Sequence, residues 1–182
     1  MNRWIVGVDE VGRGPLAGPV TVGAVATTRP YEFHGVRDSK RLSPNQRQAW
    51  YYQITKNPEI KWAIASVGQG GIDRVGITKA LYRAVSRALL GLYVMPSLVL
   101  LDGSLYAPPE FRQCTIIKGD EQIPLIAAAS IIAKVTRDRF MERQHVRFPE
   151  YGFAAHKGYG TRAHYQALRR YGSCVLHRQT FL

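Results

Sequence analysis

Along the chain, apolar runs of strand length alternate with segments whose apolar residues recur at helical spacing. Ile5, Val6 and Val8 form the first run and predict a buried strand, from whose end Asp9 and Glu10 emerge. Val20 to Ala26, rich in valine and alanine, reads as a second strand closing a hairpin-like unit with the first; Gly18, Pro19 and Gly23 loosen that reading. Ser43 before Pro44 marks the N-cap and first turn of a helix running to about Lys56. Lys61 to Val67 alternates as a third strand, ended by the glycines at 68, 70 and 71. From Ile77 onward, Ala80, Leu81, Ala84, Val85, Ala88 and Leu89 define one face of an amphipathic helix that stops at Gly91. Ser97 to Leu101 is a short apolar run of the kind buried on both faces of a sheet, and it ends in Asp102 and Gly103. Cys114 to Ile117 predicts another strand, with Lys118, Gly119 and Asp120 as its exit. Pro124 then opens a helix with the small face Ala127, Ala128 and Ala129, strongly charged from Lys134 to Arg147 and ended by Pro149. Tyr151 to Tyr159 reads as a glycine- and aromatic-rich loop, followed by a last helix from about Thr161 to Tyr171.

Strands separated by helices predict an α/β fold, helices against a mixed sheet. At 182 residues and 46% hydrophobic, residues 1–182 are expected to form one domain, with about 145–182 packing on it as a C-terminal loop and helix. Charge narrows the partner: 25 lysines and arginines against 13 acids give a net charge of +12, the balance of a protein that meets phosphate. The longest apolar stretch, Ile123 to Ala133, is too short to span a bilayer, and no signal-peptide core precedes Asp9, so no membrane and a cytoplasmic location are expected. Cys114 and Cys174 fit reduced thiols, which leaves any metal to oxygen ligands.

The chemistry lies in the acids. Three positions share one pattern, an apolar strand ending in a carboxylate: Asp9 with Glu10, Asp102, and Asp120. If those strands are neighbours, four carboxylates gather at one sheet edge, and their mutual repulsion calls for hard divalent cations such as magnesium. Two such ions can activate an attacking water and stabilise the departing oxygen of a phosphodiester. The alternative, in which each acid caps a loop or pairs with a local arginine, fits any one acid better than the repeated pattern.

Gly12-Arg13-Gly14 is not a nucleotide-binding loop, because strand rather than helix follows it; it can bring backbone groups against a sugar-phosphate, although a tight hairpin explains its glycines equally well. Tyr159, between Gly158 and Gly160, can present a ring to a sugar or base, or pack as a loop aromatic. The cluster Asp38, Ser39, Lys40 and Arg41 reads evenly as a phosphate contact or a solvated loop, and the row Lys79, Arg83 and Arg87 reads first as a solvated helix face. His34, His145, His164 and His177 are scattered and read as structural or exposed.

The stretches DEVGRGPLAGPV, DSKRLS, LLDG, IIKGD, AAASIIAKVTRDR, YGFAAHKGYGT and HRQTF together resemble bacterial ribonuclease HII, in the family's order and over nearly the entire chain. The resemblance implies a ribonuclease H-like fold and an endonuclease that incises at ribonucleotides within DNA duplexes and at RNA in RNA/DNA hybrids, using Mg2+ or Mn2+. It places the family's metal-binding carboxylates on Asp9, Glu10, Asp102 and Asp120. It further implies that Gly12, Arg13 and Gly14 read the ribonucleotide's 2'-hydroxyl and that Tyr159 stacks on the deoxyribose just beyond it, with Lys40, Lys134 and Arg137 as backbone contacts. Hydrolysis on the 5' side of the ribonucleotide would leave a 3'-hydroxyl and a 5'-phosphate. The sequence departs from the family where a lysine and a serine are common: Gln122 and Ile123 stand there, and Gly71, Ile72, Asp73, Gly76 and Ile77 replace another frequent segment. No obligate protein partner is evident and a monomer is the expectation. The rival readings are another nuclease or resolvase of the same fold and a basic RNA/DNA-binding module without catalysis.

Overall fold

The computed structural model describes residues 3–29, 33, 36 and 42–182; Lys40 and its neighbours 37–41 lie outside the described residues. Five strands form one mixed sheet in the order β3-β2-β1-β4-β5. β1 (Trp4–Val11) pairs antiparallel with β2 (Val20–Thr27), and β2 pairs antiparallel with β3 (Lys61–Val67). On the other side, β1 runs parallel to β4 (Pro96–Asp102), and β4 parallel to β5 (Gln113–Ile116). The hairpin β1-β2 and the strand spans expected from alternation are thus present.

Strand periodicity sorts side chains onto two faces. Val6, Val8, Val22, Val99 and Leu101 join one core with Ala84, Val85 and Ala88 of α3 (Ile77–Leu90). Val25 joins a second core with Ala128, Ala129 and Ile132 of α5 (Pro124–Arg147) and Ile54 of α1 (Pro44–Lys56). The small face of α5 is matched by the sheet: a Cβ on Gly7 would lie 2.4 Å from the Leu125 carbonyl oxygen, and one on Gly23 2.4 Å from that of Ala129. Helix and strands approach until backbone meets backbone, which fixes the long helix over β1 and hence over Asp9. α1 begins with the expected Ser43 cap, a full capping box in which Ser43 Oγ accepts from the Gln46 N–H at 3.3 Å and Gln46 Oε1 from the Ser43 N–H at 2.9 Å.

Two elements depart from the sequence reading. The glycine-rich segment after β3 ends the strand, but then coils into α2 (Gln69–Val75), anchored by the fully buried Ile72, before Gly76 turns the chain into α3 at φ 78°. The expected loop from Tyr151 begins at the end of a 3-10 turn (Pro149–Tyr151) and contains one turn of helix, α6 (Phe153–His156), ahead of α7 (Arg162–Tyr171). This tail builds a third core, in which Tyr151, Phe153, Ala167 and Leu176 meet Ala17 and Met141. Among the described residues, no helix is long and apolar enough to cross a membrane.

Candidate active site

Because β1 and β4 are parallel neighbours with Val8 opposite Leu101, the next residues along them, Asp9 and Asp102, reach the same sheet edge. One carboxylate oxygen from each of Asp9, Glu10 and Asp102 lies within 4.8 Å of the others. Asp9 is buried, accepts from the Glu10 N–H at 2.7 Å and takes a hydrogen bond from the Ser130 hydroxyl of α5. Burial, then the charges of Glu10 and Asp102, push its carboxyl well above the usual carboxylate range. Burial and Asp102 also raise Glu10, against the pull of Arg13 at 3.8 Å. Crowded, desolvated carboxylates of this kind are stable as anions only with added positive charge, so the trio fits a hard divalent cation.

Asp120 enters differently from the sequence expectation. β5 stops at Ile116, Lys118 turns the chain in a left-handed conformation, and Asp120 falls in the one-turn helix α4 (Gly119–Gln122). The backbone N–H groups of Gly119 and Asp120 donate to Asp102 Oδ1 at 2.6 and 3.3 Å, which orients Asp102 and places the buried Asp120 beside it. Asp120 lies outside the trio and does not line the cleft in front of it.

That cleft, about 490 Å³, is lined by the three acids together with Gly12, Arg13, Gly14 and Tyr159, and by Lys134 and Arg47. Lys134 pairs with Asp138 at 2.9 Å. Arg47 carried no signal in the sequence, since only the fold of α1 brings it here. The glycines of the turn are now distinguishable. Gly12 has φ 87°, and a Cβ there would lie 2.2 Å from Arg137 Nε and 2.7 Å from the Pro19 carbonyl oxygen, so its glycine is structural. Gly14 has no atom within 4 Å of a built Cβ; it faces open cleft. Arg13 is pinned by a 2.8 Å hydrogen bond to Ser104 Oγ.

Arg137 requires a correction. Expected as a nucleic-acid contact, it is fully buried and donates to the carbonyls of Pro19 (2.9 Å), Lys157 (3.0 Å) and Ala17 (3.2 Å). Arg178, unnoticed in the sequence, does the same for Gly18 (3.0 Å), Arg13 (2.9 Å) and Gly12 (2.6 Å). Burial pushes Arg178 down to about 10, still charged at neutral pH. Two guanidiniums without a carboxylate partner in any of these bonds thus clamp residues 12–19 and tie the turn to the Tyr159 loop. Of the histidines read as scattered, His34 lies outside the described residues, while His164 and His177 are structural and buried but gathered with His156, the ring centroids 4.4 Å apart for His156 and His164 and 5.2 Å for His164 and His177.

With this geometry in view, comparison decides the family: the ribonuclease HII sequence model matches residues 6–182. The chain belongs to the ribonuclease HII family. With membership comes the enzyme class, a metal-dependent endoribonuclease. Ribonuclease HII of Chlamydia trachomatis serovar A is 47% identical over 97% of this chain and 81% of its own length. The Delftia acidovorans ribonuclease HII is 48% identical over 97% of the chain and 75% of its own. Among solved structures, Archaeoglobus fulgidus RNase HII, determined in complex with PCNA, superposes with a TM-score of 0.83 at 27% identity, covering 98% of this chain and 95% of that one. The ribonuclease H-like fold expected from the resemblance is therefore established.

Proposed function

We propose that this ribonuclease HII hydrolyses the phosphodiester on the 5' side of ribonucleotides embedded in duplex DNA, and RNA in RNA/DNA hybrids, in the removal of ribonucleotides from DNA. The observation that carries this reading is the shared cleft: three acids suited to a cation face an open backbone turn and a tyrosine that is 40% exposed.

Asp9, Glu10 and Asp102 would hold divalent ions, Mg2+ or Mn2+, with Asp120 completing a site for two. Bound there, such ions supply an activated water and neutralise charge on the departing 3'-oxygen. The chain's own residues do the choosing. Gly14, bare toward the cleft, lets backbone groups reach a 2'-hydroxyl, which both donates and accepts a hydrogen bond. Arg13 stands beside it, and Tyr159 would stack on the deoxyribose just past the ribonucleotide, so that the pair reads an RNA-to-DNA junction. Lys134 and Arg47 stand where phosphates would run; Lys40 remains a candidate on sequence alone. The +12 net charge supplies attraction for the duplex. The protein would act as a cytoplasmic monomer.

Three duplexes separate this reading from its rivals: DNA with one ribonucleotide, all-DNA, and an RNA/DNA hybrid, each with Mg2+, Mn2+ or chelator. Metal-dependent cutting of the first and third alone supports it. Cutting of all-DNA favours a resolvase-like nuclease, and binding without cutting under any metal favours a non-catalytic module.

A further inference from the structure

The three gathered histidines hold backbone atoms of the ribose-reading loops, and the bonds they make fix each ring's proton. Gly158 N–H donates to His156 Nδ1 at 3.2 Å, so the His156 proton sits on Nε2, which gives it to the Tyr151 carbonyl at 2.7 Å. His164 Nδ1 faces the Tyr159 carbonyl at 2.9 Å and must carry the hydrogen, leaving its Nε2 bare. That bare nitrogen lies 3.0 Å from His177 Nε2, which therefore donates. His177 Nδ1 is then the acceptor, and it receives the Cys174 N–H at 2.9 Å, a shorter contact than the 3.3 Å to the Cys174 carbonyl. One proton per ring satisfies each of these bonds except the longer approach to the Cys174 carbonyl, the pattern of three neutral rings. Burial supports this, pushing His164 down to about 4.

What these rings hold is not arbitrary. The bonds of His156 and His164 fall on Gly158 and Tyr159, next to Lys157, whose carbonyl Arg137 takes. The Gly158 carbonyl accepts the Leu16 N–H at 2.9 Å. His177 bridges Ala17 and precedes Arg178, whose guanidinium grips Gly12 and Arg13. Tyr151 and Phe153 pack against the rings of His177 and His164.

We propose that His156, His164 and His177 are positioning residues for ribose recognition: one neutral chain of rings that sets the spacing between Tyr159 and the Gly12–Gly14 turn. The proposal rests on the reading of Tyr159 as a substrate contact, and a double-mutant cycle on the single-ribonucleotide duplex tests the two separately. H164Q should lower kcat/KM about ten-fold when Tyr159 is present, and no more than about two-fold further in a Y159A background, because a residue acting through Tyr159 has nothing left to position. A merely structural histidine would cost its full factor in both backgrounds, and that result overturns the proposal while leaving Tyr159 its role. An unchanged kcat/KM for Y159A alone overturns the reading of Tyr159 instead. If H164Q lacks native circular dichroism, the same cycle with H156Q, at the less buried end of the chain of rings, is judged by the same two criteria.

Discussion

Gly14→Ala isolates the ribose-reading role proposed for the turn from its structural role, with Gly12→Ala as the contrasting control. At Gly14 a built Cβ meets nothing within 4 Å and φ is not in the left-handed region. The substitution should leave folding intact and stabilise it by about 0.4–1 kcal/mol through the unfolded chain, or about 1–4 °C in Tm for a chain of this size. At Gly12 the methyl would collide with Arg137 Nε, Arg137 Cδ and the Pro19 oxygen at 2.2–2.7 Å while φ stays at 87°. Overpacking and left-handed strain together should cost about 3 kcal/mol, or about 6–12 °C. Activity should separate differently. A methyl at Gly14 stands in the cleft where the ribose would approach and removes one or two backbone hydrogen bonds, about 1–3 kcal/mol of transition-state binding. That corresponds to a fall of about 5- to 150-fold in kcat/KM on the single-ribonucleotide duplex. The assay is steady-state cleavage of that duplex beside a thermal melt of the same preparation. A G14A enzyme with kcat/KM within two-fold of wild type and a native melt would refute the idea that this turn touches the sugar.

Other consequences follow from the acids and the clamps. Asp9→Asn should abolish cleavage and leave duplex binding largely intact, while raising the Tm of chelator-treated protein, because it removes a buried charge held near Glu10 and Asp102; retained cleavage refutes the metal assignment. The pH dependence has a definite sign. Folded Asp9 and Glu10 bind their protons more tightly than the unfolded chain does, so their contribution is full below the unfolded values of 3.8 and 4.5 and is lost as pH rises through the raised folded values. Wild type minus D9N stability, measured without metal from pH 5 to 8, should fall with pH, and a rising difference contradicts it. Mg2+ or Mn2+ at about 100 Kd should restore about 2.7 kcal/mol to wild type and much less to D9N. Arg178→Lys replaces a fork on three carbonyls by a shorter point charge and should cost about 3 kcal/mol, read as a Tm loss of about 6–12 °C; an unchanged Tm removes Arg178 as the clamp of the turn.

The sequence made some of this legible for simple reasons. The runs ending at Asp9 and Asp102 are apolar enough to be recognised as strands, and parallel pairing of β1 with β4 brings their ends together. Ser43-Pro44 announces α1 because capping is local chemistry. What stayed hidden depends on contacts between distant segments. Periodicity in the charged half of α5 does not reveal that Arg137 faces inward, since the carbonyls that satisfy it come from residues 17, 19 and 157. Arg178 and the histidines acquire meaning only when the tail folds back over the turn. α2 is masked by glycines that disfavour helix; its anchor, Ile72, is tertiary. Asp120 reads as a strand-end acid because Cys114 to Ile117 points to it, whereas the chain turns at Lys118 first and delivers it from α4.

The most direct test of the central claim is the chemistry of the cut ends. A DNA duplex with one ribonucleotide, labelled on either side of it and treated with the enzyme and Mg2+, should give one cut on the 5' side of the ribonucleotide, a 3'-hydroxyl on one fragment and a 5'-phosphate on the other, and no product with chelator. A cut on the 3' side leaving a 2',3'-cyclic phosphate would mean that the ribose hydroxyl itself attacks, and would contradict hydrolysis directed by Asp9, Glu10 and Asp102.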